Sequence, residues 1–315
     1  MSNTLNNRTA AVVDVILSNH ARGYRNSEMI SHYLFPRAMI GNRSMRVIRF
    51  GKEGFRMVNT RRAPGANIET IQYGYASDSV SLVQDSLQGL VPVEHQEEAA
   101  KVPGVNLGSN AVSMVMKQMD LGLEFASAKL ARDANSYDDN HKLALTGTDK
   151  WSDPNSDPEA DIDDAKEEIR RMIGQYPNVL ALGAPVFKVL KRHPKIKDQF
   201  KYTTSQSITK EMLASYFDVD KVVVGKAVYL PQDAKDDDPA SDVWGNDAVL
   251  AWVPDETTGN FQVPSFGYTY ELTGYPQVEQ PWYDRDRRSW KYPTTTERQA
   301  VLTGSEAGFL FKGAI

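Results

Sequence analysis

Cysteine is absent from the 315 residues, which excludes disulfides, a thiolate metal site and a cysteine nucleophile. Long apolar runs are missing too. No stretch approaches the ~20 residues that cross a bilayer, so no membrane partner is expected. Residues Met1 to Arg22 are polar and mixed, without a signal-peptide core. The five histidines, His20, His32, His95, His141 and His193, stand far apart with no ligand spacing. His95, beside Glu94, Glu97 and Glu98, reads as part of a solvated acidic turn. The acidic runs Asp236-Asp237-Asp238 and Asp157–Glu168 lack the alternating ligands and glycine-enabled turn of a calcium loop. Walker A, GxGxxG, GxSxG and HExxH patterns are all missing. Gly304-Ser305-Glu306-Ala307-Gly308 has its serine one place away from an elbow motif and reads as a turn. No catalytic, cofactor-binding or metal residue is therefore assigned. No internal repeat or low-complexity tract is found.

What is present is an ordinary soluble composition, 41% hydrophobic and 24% charged, with a net charge of −5. The length allows two compact units. The charge is unevenly placed. Residues 1–62 hold eleven Lys or Arg against three acids, a balance of +8, so the remainder must carry −13. A basic head on an acidic body points to attraction between copies of the chain, or between the head and a polyanion.

The most regular stretch runs from Ser109 to Asp133. Val112, Met116, Met119, Leu123, Ala126 and Leu130 recur at steps of four and three, one face of a helix. Lys117, Asp120, Glu124 and Lys129 fall off that stripe. Ser109 or Asn110 is the expected cap. At ~1.5 Å per residue the rod is about 36 Å long. Such a rod serves either as the core helix of an α/β enzyme or as the spine of a flat, elongated shell subunit. Taken alone it favours the first.

Before it, residues 1–32 contain a short amphipathic helical piece, and Tyr33-Leu34-Phe35-Pro36 forms an apolar plug. Arg46-Val47-Ile48-Arg49-Phe50 alternates, Gly51-Lys52-Glu53-Gly54 turns, and Phe55–Thr60 alternates again, which predicts a hairpin. Ile68–Tyr75 and Val80–Leu90 are further β-prone stretches. Much of this region is polar on both faces and cannot make a core by itself. Val91–Ala99 opens a short acidic helix.

After the rod, Thr146–Pro158 is loop and the best internal boundary. A helix stripe follows at Ile162, Ala165, Ile169, Met172 and Ile173, with acids in its first turns, Arg170-Arg171 in its last and Gly174 to end it. Strands are expected at Val179–Leu182, Val222-Val223-Val224, Ala227–Leu230, Ala248–Val253 and Tyr268–Leu272. A helix starts at Pro185 and stops before Pro194, and Thr209 caps another over Lys210–Phe217. Trp282–Trp290 is a charged connection, followed by strands at Arg298–Leu302 and Gly308–Phe311. From these residues alone the chain reads as a structural or binding protein, with a soluble α/β enzyme as a less favoured alternative.

A series of short segments, in order, resembles the major capsid proteins of tailed bacteriophages, which have the Hong Kong ninety-seven phage type capsid fold. They are Tyr176-Pro177-Asn178-Val179-Leu180-Ala181-Leu182-Gly183, Val186 with Leu190, His193-Pro194, Leu213-Ala214-Ser215-Tyr216-Phe217-Asp218-Val219, Val222-Val223-Val224-Gly225-Lys226-Ala227-Val228-Tyr229, Val243-Trp244-Gly245 and Pro264-Ser265-Phe266-Gly267-Tyr268-Thr269. Leu34-Phe35-Pro36 and Arg62-Ala63-Pro64-Gly65 extend the resemblance into the first half. It implies an α+β capsid fold: N-terminal arm and lead-in 1–45, extended β-loop 46–92, peripheral domain with the spine helix 93–150, α/β axial domain 151–267, and return strands of the peripheral domain 268–315.

The implied function is self-assembly into hexamers and pentamers of an icosahedral shell around phage double-stranded DNA, in a virion assembled in the host bacterial cytoplasm. On that reading Arg46, Arg49, Lys52, Arg56, Arg61 and Arg62 of the loop contact a neighbouring copy. Arg8, Arg22 and Arg25 of the arm face the inner wall and touch DNA non-specifically. Portal, a separate scaffold protein and a decoration protein are the implied partners, and no cofactor is. Some family members cross-link a loop lysine to a neighbour's asparagine. Lys52, the loop's only lysine, reads as a plain turn residue, and no cross-link is expected. An encapsulin-type bacterial nanocompartment shell, built on the same fold, is the alternative.

Overall fold

The structure is a computed structural model that describes residues 13–49, 60–62, 68, 76–102, 105–201, 207–235, 237–254 and 265–315. The chain begins with helix α1 (Val15–Gly23), the single turn α2 (Ser31–Leu34) and strands β1 (Arg37–Ile40), β2 (Ser44–Arg49), β3 (Ala76–Ser81) and β4 (Val83–Pro92). Helices α3 (Val93–Ala99) and α4 (Leu107–Ala131) follow, then β5 (Lys142–Ala144), α5 (Pro158–Ile173), β6 (Val179–Gly183), α6 (Ala184–Leu190), α7 (Pro194–Phe200) and α8 (Lys210–Tyr216). The rest is strand: β7 (Lys221–Gly225), β8 (Val228–Tyr229), β9 (Ser241–Asp242), β10 (Ala248–Ala251), β11 (Gly267–Leu272), β12 (Gln277–Val278), β13 (Trp282–Asp284), β14 (Ser289–Leu302) and β15 (Gly308–Lys312).

Two sheets carry the fold. The first has the order β5-β15-β10-β6-β7, with β6–β7 and β15–β5 parallel and β10 antiparallel to both its neighbours. Its strands are apolar at nearly every position because both faces are covered. Leu180, Leu182, Val222, Leu250 and Phe311 face a cluster with Ile162, Ile169, Leu190 and Leu213 from the helices. The alternate residues Val179, Ala181, Val223, Val249 and Leu310 face Leu34, Phe35, Ala128, Ala131 and Trp244. The apolar plug at Leu34-Phe35 is thus wholly buried.

The second sheet is organised by β14, which takes β13, β12 and β11 along one side and β4 along the other. The stretch expected as a charged connection is a hairpin, with Trp282 opposite Lys291 and Asp284 opposite Ser289. Val83–Pro92, assigned above to the extended loop, pairs with β14 along its whole length. The closing strand β15 belongs to the first sheet, so the two terminal strands part company rather than returning together. The Thr146–Pro158 loop joins β5 to α5 and is held to the sheet. Trp151 is wholly buried, donates from Nε1 to Asp161 at 2.8 Å, and its backbone N–H donates to Ala314 at 2.9 Å.

Helix α4 spans both sheets and is 25 residues long. Its cap lies earlier than expected: Asn106 accepts from the Ser109 N–H at 3.0 Å. Its buried face also departs from the apolar stripe. Val112 and Met116 are buried as expected, but Ala126 is exposed while Asp120, Glu124 and Ser127 are buried. The middle of the rod therefore makes contacts through buried polar groups as well as through Leu121 and Leu123.

Candidate assembly surface

The basic segment holds arginines paired with buried carboxylates of the body and arginines that are exposed. Arg43, just before β2, donates from Nε and one Nη to the two oxygens of Glu297 on β14, both at 2.7 Å. Glu297 is buried, and the guanidinium beside it holds its carboxyl below the usual range. Arg37 on β1 lies 3.7 Å from the buried Glu271 on β11. Burial lowers the Arg37 pKa and raises that of Glu271, each partly offset by the other's charge.

Beyond Arg43 the chain leaves the body as the two-stranded ribbon β2–β3, with Ser44 opposite Ser81 and Arg49 opposite Ala76. Its base is seated by Val47, Met45, Val80 and Leu82 on Tyr268 and Tyr270. Among the described residues the strand partner of 44–49 is 76–81, and the expected second strand of the hairpin, Phe55–Thr60, lies outside them but for Thr60. The turn at Gly51–Gly54, with Lys52 and Arg56, lies outside the described residues, as does Arg8. Arg46, Arg61 and Arg62 are exposed, and Arg49 is a ribbon residue.

The arm is docked from Val13 onward. Val13 bridges Glu279, Asp14 N–H donates to the Val278 carbonyl at 2.9 Å, and Asp14 caps α1 through the Leu17 N–H at 2.9 Å. Arg22 donates to the carbonyl of Gly274 and to Asn19, and Arg25 to the carbonyls of Arg22 and Tyr24. Both remain exposed.

On the body, the divergence of α4 from β4 and β14 leaves a groove of about 430 Å³ lined by Val83, Asp85, Leu87, Met119, Gly122 and Leu123, among others. Val83 and Leu87 are exposed apolar residues on a strand that is paired, among the described residues, along one side only. Such an edge is open to a further chain. Sequence reasoning missed this surface because it is defined by where a helix and a sheet separate.

Among the described residues no three His, Asp or Glu side chains converge to hold a metal ion, and no helix is long and apolar enough to cross a membrane.

Comparison with known proteins is consistent across sequence and structure. The family model for phage major capsid protein E matches residues 133–292. The major capsid protein of Burkholderia phage BcepMu is 33% identical over 305 residues, covering 96% of each chain. The crystal structure of a phage-related protein from Bordetella bronchiseptica RB50 superposes with a TM-score of 0.83 at 41% identity, over 96% of this chain and 98% of that one. An encapsulin from Synechococcus elongatus PCC 7942, SrpI, matches with a TM-score of 0.52 at 10% identity, over 98% of this chain and 96% of that one, a likeness of fold alone. With a curated capsid protein matched along nearly its whole length, the chain belongs to the phage major capsid proteins, has their Hong Kong ninety-seven type fold, and is a subunit of an icosahedral virion shell.

Proposed function

We propose that the shell is held by overlap, with the β2–β3 ribbon of each copy lying across the body of the next. The observation that carries this is the ribbon itself. It leaves the body at the Arg43–Glu297 clamp and exposes Arg46, and Arg61 and Arg62, between its two strands in the sequence, are exposed too, on a chain whose remainder is acidic by thirteen charges. The groove between α4 and β4 is the acceptor we favour, because it is partly apolar and carries Asp85, while its one cation among the described residues, Arg298, is held by Asp120. Exposed ion pairs contribute ~0–1 kcal/mol each, so the strength comes from several pairs per ribbon and from their repetition.

In this reading the copies form hexamers and pentamers. The units that fit this topology differ from the bounds expected from sequence: the arm and lead-in to 45, the loop 46–81, a peripheral region built on α4, β4 and β11 to β14, and an axial region built on β5, β6, β7, β10 and β15. Arg8, Arg22 and Arg25 face packaged double-stranded DNA, with contacts that weaken as salt rises. Portal and a separate scaffold protein complete the particle in the host bacterial cytoplasm. The test replaces Arg46, Arg61 and Arg62 together by Glu. Subunits that fold but no longer form shells support the overlap, and shells of wild-type yield and salt resistance overturn it.

A further inference from the structure

A second charged surface lies away from the ribbon. Lys188, Lys191, Arg192, Lys197 and Lys201, with Asp198 as the single carboxylate, line a cavity of about 600 Å³ on α6 and α7. Nearby Lys195 is paired with Asp157 at 2.9 Å. Among the described residues none of the five lining cations is paired with a carboxylate, and Lys191 instead lies over the Phe187 ring at 5.6 Å. The cavity thus carries five cations against one anion.

The β8–β9 hairpin carries the opposite charge. Between Gln232 and Asp242 the sequence holds Asp233, Asp236, Asp237, Asp238 and Asp242 against Lys235 alone, five anions against one cation. Of these, Asp233, Asp237, Asp238 and Asp242 are exposed. The two surfaces come from separate stretches of the chain: the cavity is built from α6, α7 and the residues up to Ile208, ahead of α8 and β7, and the acidic hairpin departs after Gly225 at the end of β7. Two different patches of complementary charge on one chain fit a heterologous contact between copies, which closes into a ring when repeated by rotation. We infer that the cationic cavity of one copy receives the acidic β8–β9 hairpin of a second copy. A nucleic acid fits less well, because the chain outside residues 1–62 is acidic overall and repels a polyanion.

This inference rests on the capsid reading but not on the ribbon overlap. The test uses the full chain with Lys188→Glu, Lys197→Glu and Lys201→Glu, a second chain with Asp233→Lys, Asp237→Lys and Asp238→Lys, and the two sets combined. All six positions are exposed. Assembly is read by sedimentation and electron microscopy, and folding by circular dichroism. Each set alone is expected to lower the assembled fraction at least tenfold, and the combination to restore most of it. If a set unfolds the chain, Lys188→Gln with Lys197→Gln takes its place and is expected to lower the assembled fraction at low salt and to make assembly less dependent on salt than in wild type. Single sets that assemble like wild type overturn the inference, as does a combination that fails to rescue. Lysine-reversed shells that form normally but hold less DNA also overturn it, in favour of a nucleic-acid partner. A wild-type chain that forms no assembly removes the capsid reading and this inference together.

Discussion

Trp244 donates from Nε1 to Glu124 Oε1 at 2.7 Å, in the interior of the molecule. The same carboxylate accepts the backbone N–H groups of Ile30 and Ser31, both at 2.9 Å. One side chain in the middle of α4 therefore joins the arm, the long helix and the loop ahead of β10, with three neutral donors around it. Stranding a buried donor costs ~1–3 kcal/mol. Glu124→Leu leaves all three without a partner and is expected to destabilise the subunit by ~3 kcal/mol or more. Glu124→Gln keeps one accepting oxygen and is expected to cost less. Denaturant unfolding of dissociated subunits, followed by tryptophan fluorescence, checks the order; equal costs for the two variants would contradict the three-donor account.

Sequence made local features legible and left distant partnerships hidden. Helix α5 is legible in its stripe and its end: Ile162, Ala165 and Ile169 are buried, and Gly174 takes φ 73° where the helix stops, while its cap, Asp157, which accepts from the Ala160 N–H, lies in the stretch expected as loop. Thr209 caps α8 as its position suggested. Glu124 and Asp120 fall off the apolar stripe, and nothing in their own helix signals that they are buried. Their partners lie 94, 120 and 178 residues away, at Ile30, Trp244 and Arg298. The Gly51–Gly54 turn signal likewise carried no information on the pairing of Ser44–Arg49 with 76–81. For the assembly surface, the excess of arginine was visible. That Arg37 and Arg43 are engaged with Glu271 and Glu297 of their own chain was not.

Two glycines give opposite expectations. Gly183 ends β6 opposite Gly225 of β7, and a Cβ placed on it would run into the Gly245 carbonyl oxygen, which is backbone and cannot turn aside. Overpacking usually costs ~1–3 kcal/mol, and Gly183→Ala is expected at or above the top of that range, with loss of soluble subunit. Gly122 sits mid-helix on the exposed side of α4, where a Cβ meets nothing within 4 Å. Gly122→Ala is expected to stabilise the subunit by ~0.5–1 kcal/mol. Thermal unfolding of the two variants beside wild type decides both, and a destabilised Gly122→Ala would mean that the groove wall is not open.

Asp247, buried ahead of β10, gathers the end of α4 and the end of β15. Its Oδ2 accepts from Arg132 Nε at 2.6 Å and from Lys312 Nζ at 2.8 Å, and its Oδ1 from the Gly313 N–H at 2.9 Å. Burial alone would raise its pKa, but Lys312, the Gly313 N–H and Arg132 together outweigh it and hold the carboxyl below its ordinary 3.8. A carboxylate depressed in the folded state contributes stability above its unfolded pKa and loses it as pH falls through the folded value. Asp247→Asn is therefore expected to destabilise at neutral pH, and the deficit should shrink progressively below pH 3.8. Breaking a fully buried pair costs ~3–5 kcal/mol. Here the cost should fall short of that, because the Arg132 and Lys312 side chains keep 25% and 44% of their exposure and water screens them. Denaturation of both proteins between pH 7 and pH 3 measures the difference directly, and a deficit that stays constant across that range would show that the Asp247 charge contributes nothing to holding α4 against β15.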